Sequence, residues 1–117
     1  MKSAVTPIRL VPANAGTQGS AIMSFFVYIL ATRWNGTLYV GMTDDLSRRV
    51  WEHRAGSVPG FTKKYGVKTL VWFELHESRE TAFQRERRLK KWNRAWKLQL
   101  IEQINPDWRD LAADLTP

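Results

Sequence analysis

The sequence predicts an α/β (α+β) domain, a small three-stranded antiparallel sheet flanked by helices, and three observations carry that expectation. Two β-branched and aromatic runs, Phe25 to Ala31 and Thr37 to Met42, flank Asn35-Gly36, the strongest short hairpin signal. A third run, Lys68 to His76, is apolar almost throughout and reads as a buried strand. From Ser78 onward, apolar residues return at intervals of three, four and seven, the spacing of a helix with one face on a core.

Taken as a two-residue turn, Asn35-Gly36 sets Trp34 opposite Thr37, Thr32 opposite Tyr39 and Tyr28 opposite Thr43. Side chains alternate with period two, so Tyr28 and Tyr39 leave the sheet on the same side. In that register the two phenols are separated along the strand by about four residues, roughly 13 Å at the usual rise. The stretch "MTDDLSRRVWEHRAG" then predicts a helix with Thr43 or Asp44 as N-cap, acids in its first turn and Gly56 as its stop. Leu46 and Val50 face its core side, while Arg49 and His53, four apart, share another face. "SVPGFTKKYG" reads as a loop on its Pro59-Gly60 signal.

Ser78 is the candidate cap of the next helix, whose apolar positions are Ala82, Phe83, Leu89, Trp92 and Trp96, with the tryptophans expected in the core. Asn93 divides this segment into two helices, the second reaching about Gln103. Pro106 ends it, and Trp108 and Leu111 of the "NPDWRDL" tail are expected to pack back on the body.

At 117 residues the chain is long enough for one hydrophobic core and short for two. With 44% hydrophobic and 12% aromatic residues, among them six tryptophans, it has the composition of a globular protein. The formal charge of +7 favours polyanionic partners, nucleic acid first and an anionic membrane surface second. The absence of cysteine excludes disulfides and thiolate metal sites, and two histidines are too few for a zinc cage. Any metal is therefore a hard ion on oxygen ligands. The longest apolar run is about eleven residues, well short of the roughly 20 that a membrane span needs, so no transmembrane segment is expected, and of the two polyanions nucleic acid rather than membrane is the expected partner. Residues 1–22 carry small residues, two prolines and no acid, and are expected to form a flexible or non-native arm outside a domain at 23–117.

The two tyrosines stand eleven residues apart, in "VYIL" and "YVG". With that spacing the chain resembles the GIY-YIG nuclease family, with Tyr28 and Tyr39 at the tyrosines of its two half-motifs. Ten residues beyond Tyr39 stands Arg49, and four further His53, which match the family's arginine and histidine. Glu86 in "QRERRLKKW" matches its helical glutamate, and Asn105, with Asn93 as the rival, its late asparagine. The "LKKW" helix and the closing "NP-W-DL" tail are similar to those of small stand-alone YhbQ-like bacterial members. Phe26 stands in place of the first half-motif's glycine, and Val27 and Val40 in place of isoleucines.

The resemblance implies a metal-dependent endonuclease acting on DNA in the bacterial cytoplasm, with a role in repair or recombination. It further implies that Tyr28 helps to deprotonate the attacking water and that Tyr39 positions water or phosphate. Chemistry makes the same residue types intelligible. Phosphodiester hydrolysis needs a water nucleophile, stabilisation of the non-bridging oxygens and help for the leaving oxygen. Arg49 is always charged and can bond two phosphate oxygens at once. Glu86 is the candidate ligand for a magnesium or manganese ion, since magnesium prefers one or two carboxylates completed by water and phosphate. A tyrosine near pKa 10 serves as a base only where positive charge lowers that value, a task assigned to Arg49, His53 and the metal.

Between Arg85 and Lys97 seven of thirteen residues are basic. Arg87, Lys90, Lys91 and Arg94 are therefore candidate DNA contacts, joined by Arg48, Lys63 and Lys64. No recognition helix or finger motif is present, so weak sequence specificity on single-stranded, double-stranded or branched DNA is expected. The rival readings are a nucleic-acid-binding module that keeps the fold without turnover, and a basic protein that docks on an acidic partner.

Overall fold

The computed structural model describes residues 24–115, and the N-terminal arm expected at 1–22 lies outside them. Three strands, β1 (Phe25–Ala31), β2 (Leu38–Thr43) and β3 (Thr69–His76), form one antiparallel sheet in the order β2-β1-β3. The helices are α1 (Leu46–Arg54), α2 (Phe61–Tyr65), α3 (Arg79–Lys91) and α4 (Arg94–Ile104), followed by a 3-10 turn at Leu111–Asp114.

The central strand β1 is buried on both faces, which is why it reads as a continuous apolar run rather than an alternation. On one face Val27, Ile29 and Ala31 meet Ala82 and Leu89 of α3, Ile101 of α4 and Trp108. On the other, Tyr28 and Leu30 meet Leu46 and Val50 of α1, with Val67, Leu70 and Leu111. A bulge between Ile29 and Leu30 shifts the pairing of β1 with β3.

The hairpin differs from its expected register by two residues. Leu30 lies opposite Tyr39 and Tyr28 opposite Gly41, with Ala31–Leu38 the last pair before the loop. A two-residue type I′ turn needs left-handed backbone at both central positions. Here Asn35 alone adopts it, at φ 57°, while Gly36 is absent from the positive-φ set. The chain instead folds a tight turn across Arg33 to Gly36, closed by Gly36 N–H donating to Arg33 O at 2.9 Å. Thr32 N–H donates to Thr37 O at 3.1 Å, and Thr32 Oγ1 accepts from Thr37 N–H at 3.1 Å. The slip is an even number, so the two phenols keep their common face.

The helix ends follow local chemistry. Asp45, rather than Thr43 or Asp44, caps α1 by accepting from Arg48 N–H at 3.2 Å, and the first turn holds no acid. Gly56, at φ 74°, ends α1 with Gly56 N–H on His53 O and Ser57 N–H on Glu52 O, the paired bonds of a Schellman stop. Ser78 caps α3 as expected, and Asn93, expected only to divide the helices, caps α4. The segment expected as a loop contains α2, stopped by Gly66 in the left-handed region at φ 67°. Trp92 is half-buried, but Phe83 and Trp96 are exposed, so the expected apolar stripe is narrower than its spacing suggests.

Trp108 and Leu111 pack on the body as expected, and the tail is tied down by polar bonds. Asp110 pairs with Arg54 and accepts from Leu70 N–H at 3.3 Å. Asn105 is buried; its amide donates to Val71 O at 3.0 Å and Arg109 O at 2.9 Å, and its oxygen accepts from Arg109 N–H at 3.0 Å. Asn105→Ala leaves these buried groups unpaired, so its expected cost is about 2–4 kcal/mol, from ~1–3 kcal/mol for each group left unsatisfied. Urea unfolding of wild type and variant measures it.

Candidate active site

The site begins with the space opposite Tyr28. A Cβ at position 41 would stand 2.6 Å from the Tyr28 hydroxyl oxygen and 3.0 Å from Tyr39 Cε2, so only glycine lets the first phenol lie across the neighbouring strand. The two-residue offset brings the rings of Tyr28 and Tyr39 to 6.3 Å between centroids, far closer than the sequence register implies. Tyr28 is only 1% exposed, so its hydroxyl needs a partner inside the protein.

That partner is His53, delivered by the last turn of α1. Its Nε2 lies 3.3 Å from the Tyr28 hydroxyl, and its Nδ1 lies 2.8 Å from Thr62 Oγ1 on α2. His53 and Thr62 are 2% and 3% exposed, which makes the three side chains one buried chain of hydrogen bonds. A neutral imidazole donates from one nitrogen and accepts at the other, and two hydroxyl partners satisfy it in either sense. Burial, with Arg49 adding to it, holds the His53 pKa below its ordinary value of 6.5, and Glu52 opposes them. The ring is therefore neutral at pH 7.

Arg49, one helical turn before His53, lies near enough to Tyr28 to favour its ionised form and pairs with Glu52 at 3.3 Å. Glu86 comes from α3, its side chain 13% exposed and paired with Lys90 at 3.1 Å. Lys90 Nζ also stands 6.0 Å from the centroid of the Tyr39 ring. The Glu86 carboxylate is near enough to the Tyr28 phenol to oppose its ionisation. Burial above all, then Tyr39, and with them Glu86, push the Tyr28 pKa well above its ordinary 10.0, while Arg49 pulls it down. The lowering expected of neighbouring cations is thus realised by Arg49 but exceeded by burial, and a neutral His53 adds no charge to it.

Tyr28, Tyr39, Arg49, His53 and Glu86 are thereby gathered into one place from two strands and two helices. Asn105 is not among them, because both of its amide protons are spent on backbone carbonyls of β3 and the tail. Its rival Asn93 is engaged as the cap of α4. Of the expected DNA contacts, Arg48, Lys63, Lys64, Arg87, Lys90 and Lys91 are exposed. Arg94, exposed as well, is also a clasp: its Nη2 donates to Gly36 O at 2.7 Å and Asn35 O at 2.9 Å, which ties the hairpin loop to α4. Sequence reasoning missed Thr62 and Phe61, because α2 has five residues and its periodicity is too short to detect. Phe61 stacks on Tyr39, with centroids 6.3 Å apart and planes at 26°.

The arrangement sets a cation, Arg49, and a carboxylate, Glu86, beside two phenols. The family model of the GIY-YIG catalytic domain matches residues 24–99, and the chain belongs to that nuclease family. Within it, its relatives are UPF0213 proteins, the YhbQ-like group. It is 38% identical over 78 residues to a UPF0213 protein of Haloquadratum walsbyi, covering 67% of this chain and 86% of that one. A UPF0213 protein of Clostridium perfringens is 40% identical over 76 residues, 65% of this chain and 81% of its own. The solution NMR structure of a UPF0213 protein from Bacillus halodurans matches with a TM-score of 0.50 and 29% identity, over 81% of this chain and 100% of that chain. This likeness supports the three-stranded antiparallel sheet with flanking helices as the fold of the group.

The depressed His53 pKa has a consequence for stability. Unfolding frees a histidine that binds a proton near 6.5, which the folded protein resists. Stability from this group is complete above that pH and is lost as pH falls from 6.5 toward the lower folded value. Urea midpoints should drop between about pH 7 and pH 5.5, above most carboxylate titrations, and His53→Gln should flatten that slope.

Proposed function

We propose that the chain is a magnesium- or manganese-dependent endonuclease that hydrolyses DNA phosphodiester bonds with low sequence specificity, in structured or branched DNA of repair or recombination. One observation carries the reading: the buried Tyr28 hydroxyl is held by His53 and lies within the fields of Arg49 and Glu86, so the residues matching the family's motif meet at one phenol.

The family's nucleases generally use divalent metal ions. Among the described residues no group of three or more His, Cys, Asp or Glu converges as a self-sufficient cage. Magnesium fits such a site, since it is commonly held by one carboxylate with water and substrate phosphate. Glu86 would hold it, and the bound ion would stabilise negative charge on the phosphate and leaving oxygen. Arg49 bonds a non-bridging oxygen through its guanidinium, which its helix and its pairing with Glu52 hold in place. Tyr39 orients water or phosphate beside it. Tyr28, protonated in the free protein, positions the water, and it accepts the water's proton only as a phenolate, formed where added positive charge offsets burial and its own proton passes to the neutral His53 ring. Arg48, Lys63, Lys64, Arg87 and Lys91 supply contacts to flanking phosphates, where charge carries affinity but no base information.

The cytoplasm is the compartment this substrate implies, and among the described residues no helix is long and apolar enough to cross a membrane. One observation favours the alternative, a nucleic-acid-binding module without turnover: burial keeps the Tyr28 proton in place. Labelled single-stranded, double-stranded and branched DNA incubated with magnesium, manganese or EDTA separates the two. Cleavage that needs the metal, and that falls by about 10²-fold or more in Glu86→Ala and Tyr28→Phe while DNA binding persists, is the expected result. Salt-sensitive binding with no cutting of any substrate rejects catalysis in favour of the binding module.

A further inference from the structure

Helix α2 raises a question that its hydrogen bond to the site does not answer. Thr62 turns inward to His53, but Phe61 and Tyr65, four residues apart and so on one helical side, are 45% and 51% exposed. Two large rings half in water on a five-residue helix are unneeded for its packing, which Thr62 and the following Val67 already provide. The rings are ordered with respect to the site. Tyr28 meets Tyr39 at 6.3 Å, Tyr39 meets Phe61 at 6.3 Å and near-parallel, and Phe61 meets Tyr65 at 4.8 Å. A row of aromatic rings therefore runs from the buried phenol out to solvent.

Cations line the same row. Lys64 Nζ stands 5.4 Å from the Tyr65 ring centroid, Lys90 Nζ 6.0 Å from that of Tyr39, and Lys63 is exposed between the two rings in sequence. Aromatic faces interleaved with lysines are how proteins hold a strand whose bases are free: each base has a face to stack, and each phosphate a charge to meet. A base inside a duplex has both faces covered by its neighbours, so it cannot use such a platform.

We infer that Phe61 and Tyr65 form a stacking site for an unpaired base of the strand whose phosphate lies at Tyr28, Arg49 and Glu86. The inference deepens the nuclease reading and rests on it: the substrate has an unpaired nucleotide beside the bond that is cut, as in a single strand, a flap or a bulge. Continuous duplex binds through the phosphate-contacting cations alone.

The test separates base from phosphate. Full-length protein in EDTA is titrated by fluorescence anisotropy against a labelled thymidine oligonucleotide, and against the same oligonucleotide with abasic residues that keep every phosphate. Wild type should bind the thymidine strand about tenfold tighter, within the range measured for stacking one base on an aromatic side chain. Phe61→Ala combined with Tyr65→Ala should erase that preference, and Tyr65→Phe, which keeps the ring, should retain it. Equal affinity of wild type for both strands overturns the stacking site whatever the variants do. It leaves the nuclease reading standing if metal-dependent cutting is observed. A preference that survives in the double alanine variant also overturns it, by placing the base elsewhere. A ring-dependent preference without cutting on any substrate supports the base site while rejecting the reading that placed it beside a scissile bond.

Discussion

The hydrogen bond between the Tyr28 hydroxyl and His53 Nε2, 3.3 Å long and buried, ties together the elements that carry the site. Tyr28 is on the central strand, where both faces are covered, so its polar end is buried. A buried hydroxyl without a partner is costly, and that cost ties the strand to the last turn of α1. His53 in turn needs a partner for Nδ1, which ties α1 to α2 through Thr62. Glycine at position 41 is the complementary condition, because any side chain there would occupy the volume of the phenol. Four segments distant in sequence are thus held in register by one chain of polar bonds and one missing side chain.

The same burial sets the electrostatics. Arg49 favours ionised Tyr28, but burial, Tyr39 and Glu86 oppose it more strongly, and the neutral His53 does not tip the balance. The phenol of the free protein is consequently a hydrogen-bond donor. Glu86 is held by Lys90, whose ammonium also faces Tyr39, so the site stores paired charges rather than one isolated ion. Pairing limits the desolvation cost of a carboxylate that is only 13% exposed.

Legibility in the sequence followed the range of the interactions. The strands, the two helix breaks at Ser78 and Asn93 and the inward face of Leu46 and Val50 depend on neighbours within one turn or one pleat, and they were readable. The common face of Tyr28 and Tyr39 survived an error of two residues in register because parity is insensitive to even shifts. The register itself depended on Gly36, whose backbone is set by Thr32 and by Arg94 from fifty-eight positions away. Asn105 looked like a site residue by motif and is instead a clasp on backbone carbonyls, while Arg94, expected as a DNA contact, is exposed and also clasps the hairpin loop. Nothing local distinguishes an arginine that meets phosphate from one that meets a loop. Thr62 had no periodicity to announce it, since its importance lies wholly in what α1 presents to it.

The two faces of the sheet explain why such a network is tolerated in so small a domain. The face under α3 and α4 is built from Val27, Ile29, Ala31, Leu89 and Ile101, with almost no polar atom to satisfy, and it supplies the hydrophobic stabilisation. Among the described residues, three of the four buried polar side chains, Thr43, His53 and Thr62, instead accompany Tyr28 on the face under α1 and α2. A polar layer gains little stability from its own burial, but when each member is satisfied it holds one geometry. Glu86 is the link between the layers, since it leaves a helix seated on the apolar face and acts on the phenol of the polar one. The positioning of the carboxylate therefore depends on how Ala82 and Leu89 pack, far from any chemistry, and a core change beneath α3 would reach the site through the direction in which Glu86 points.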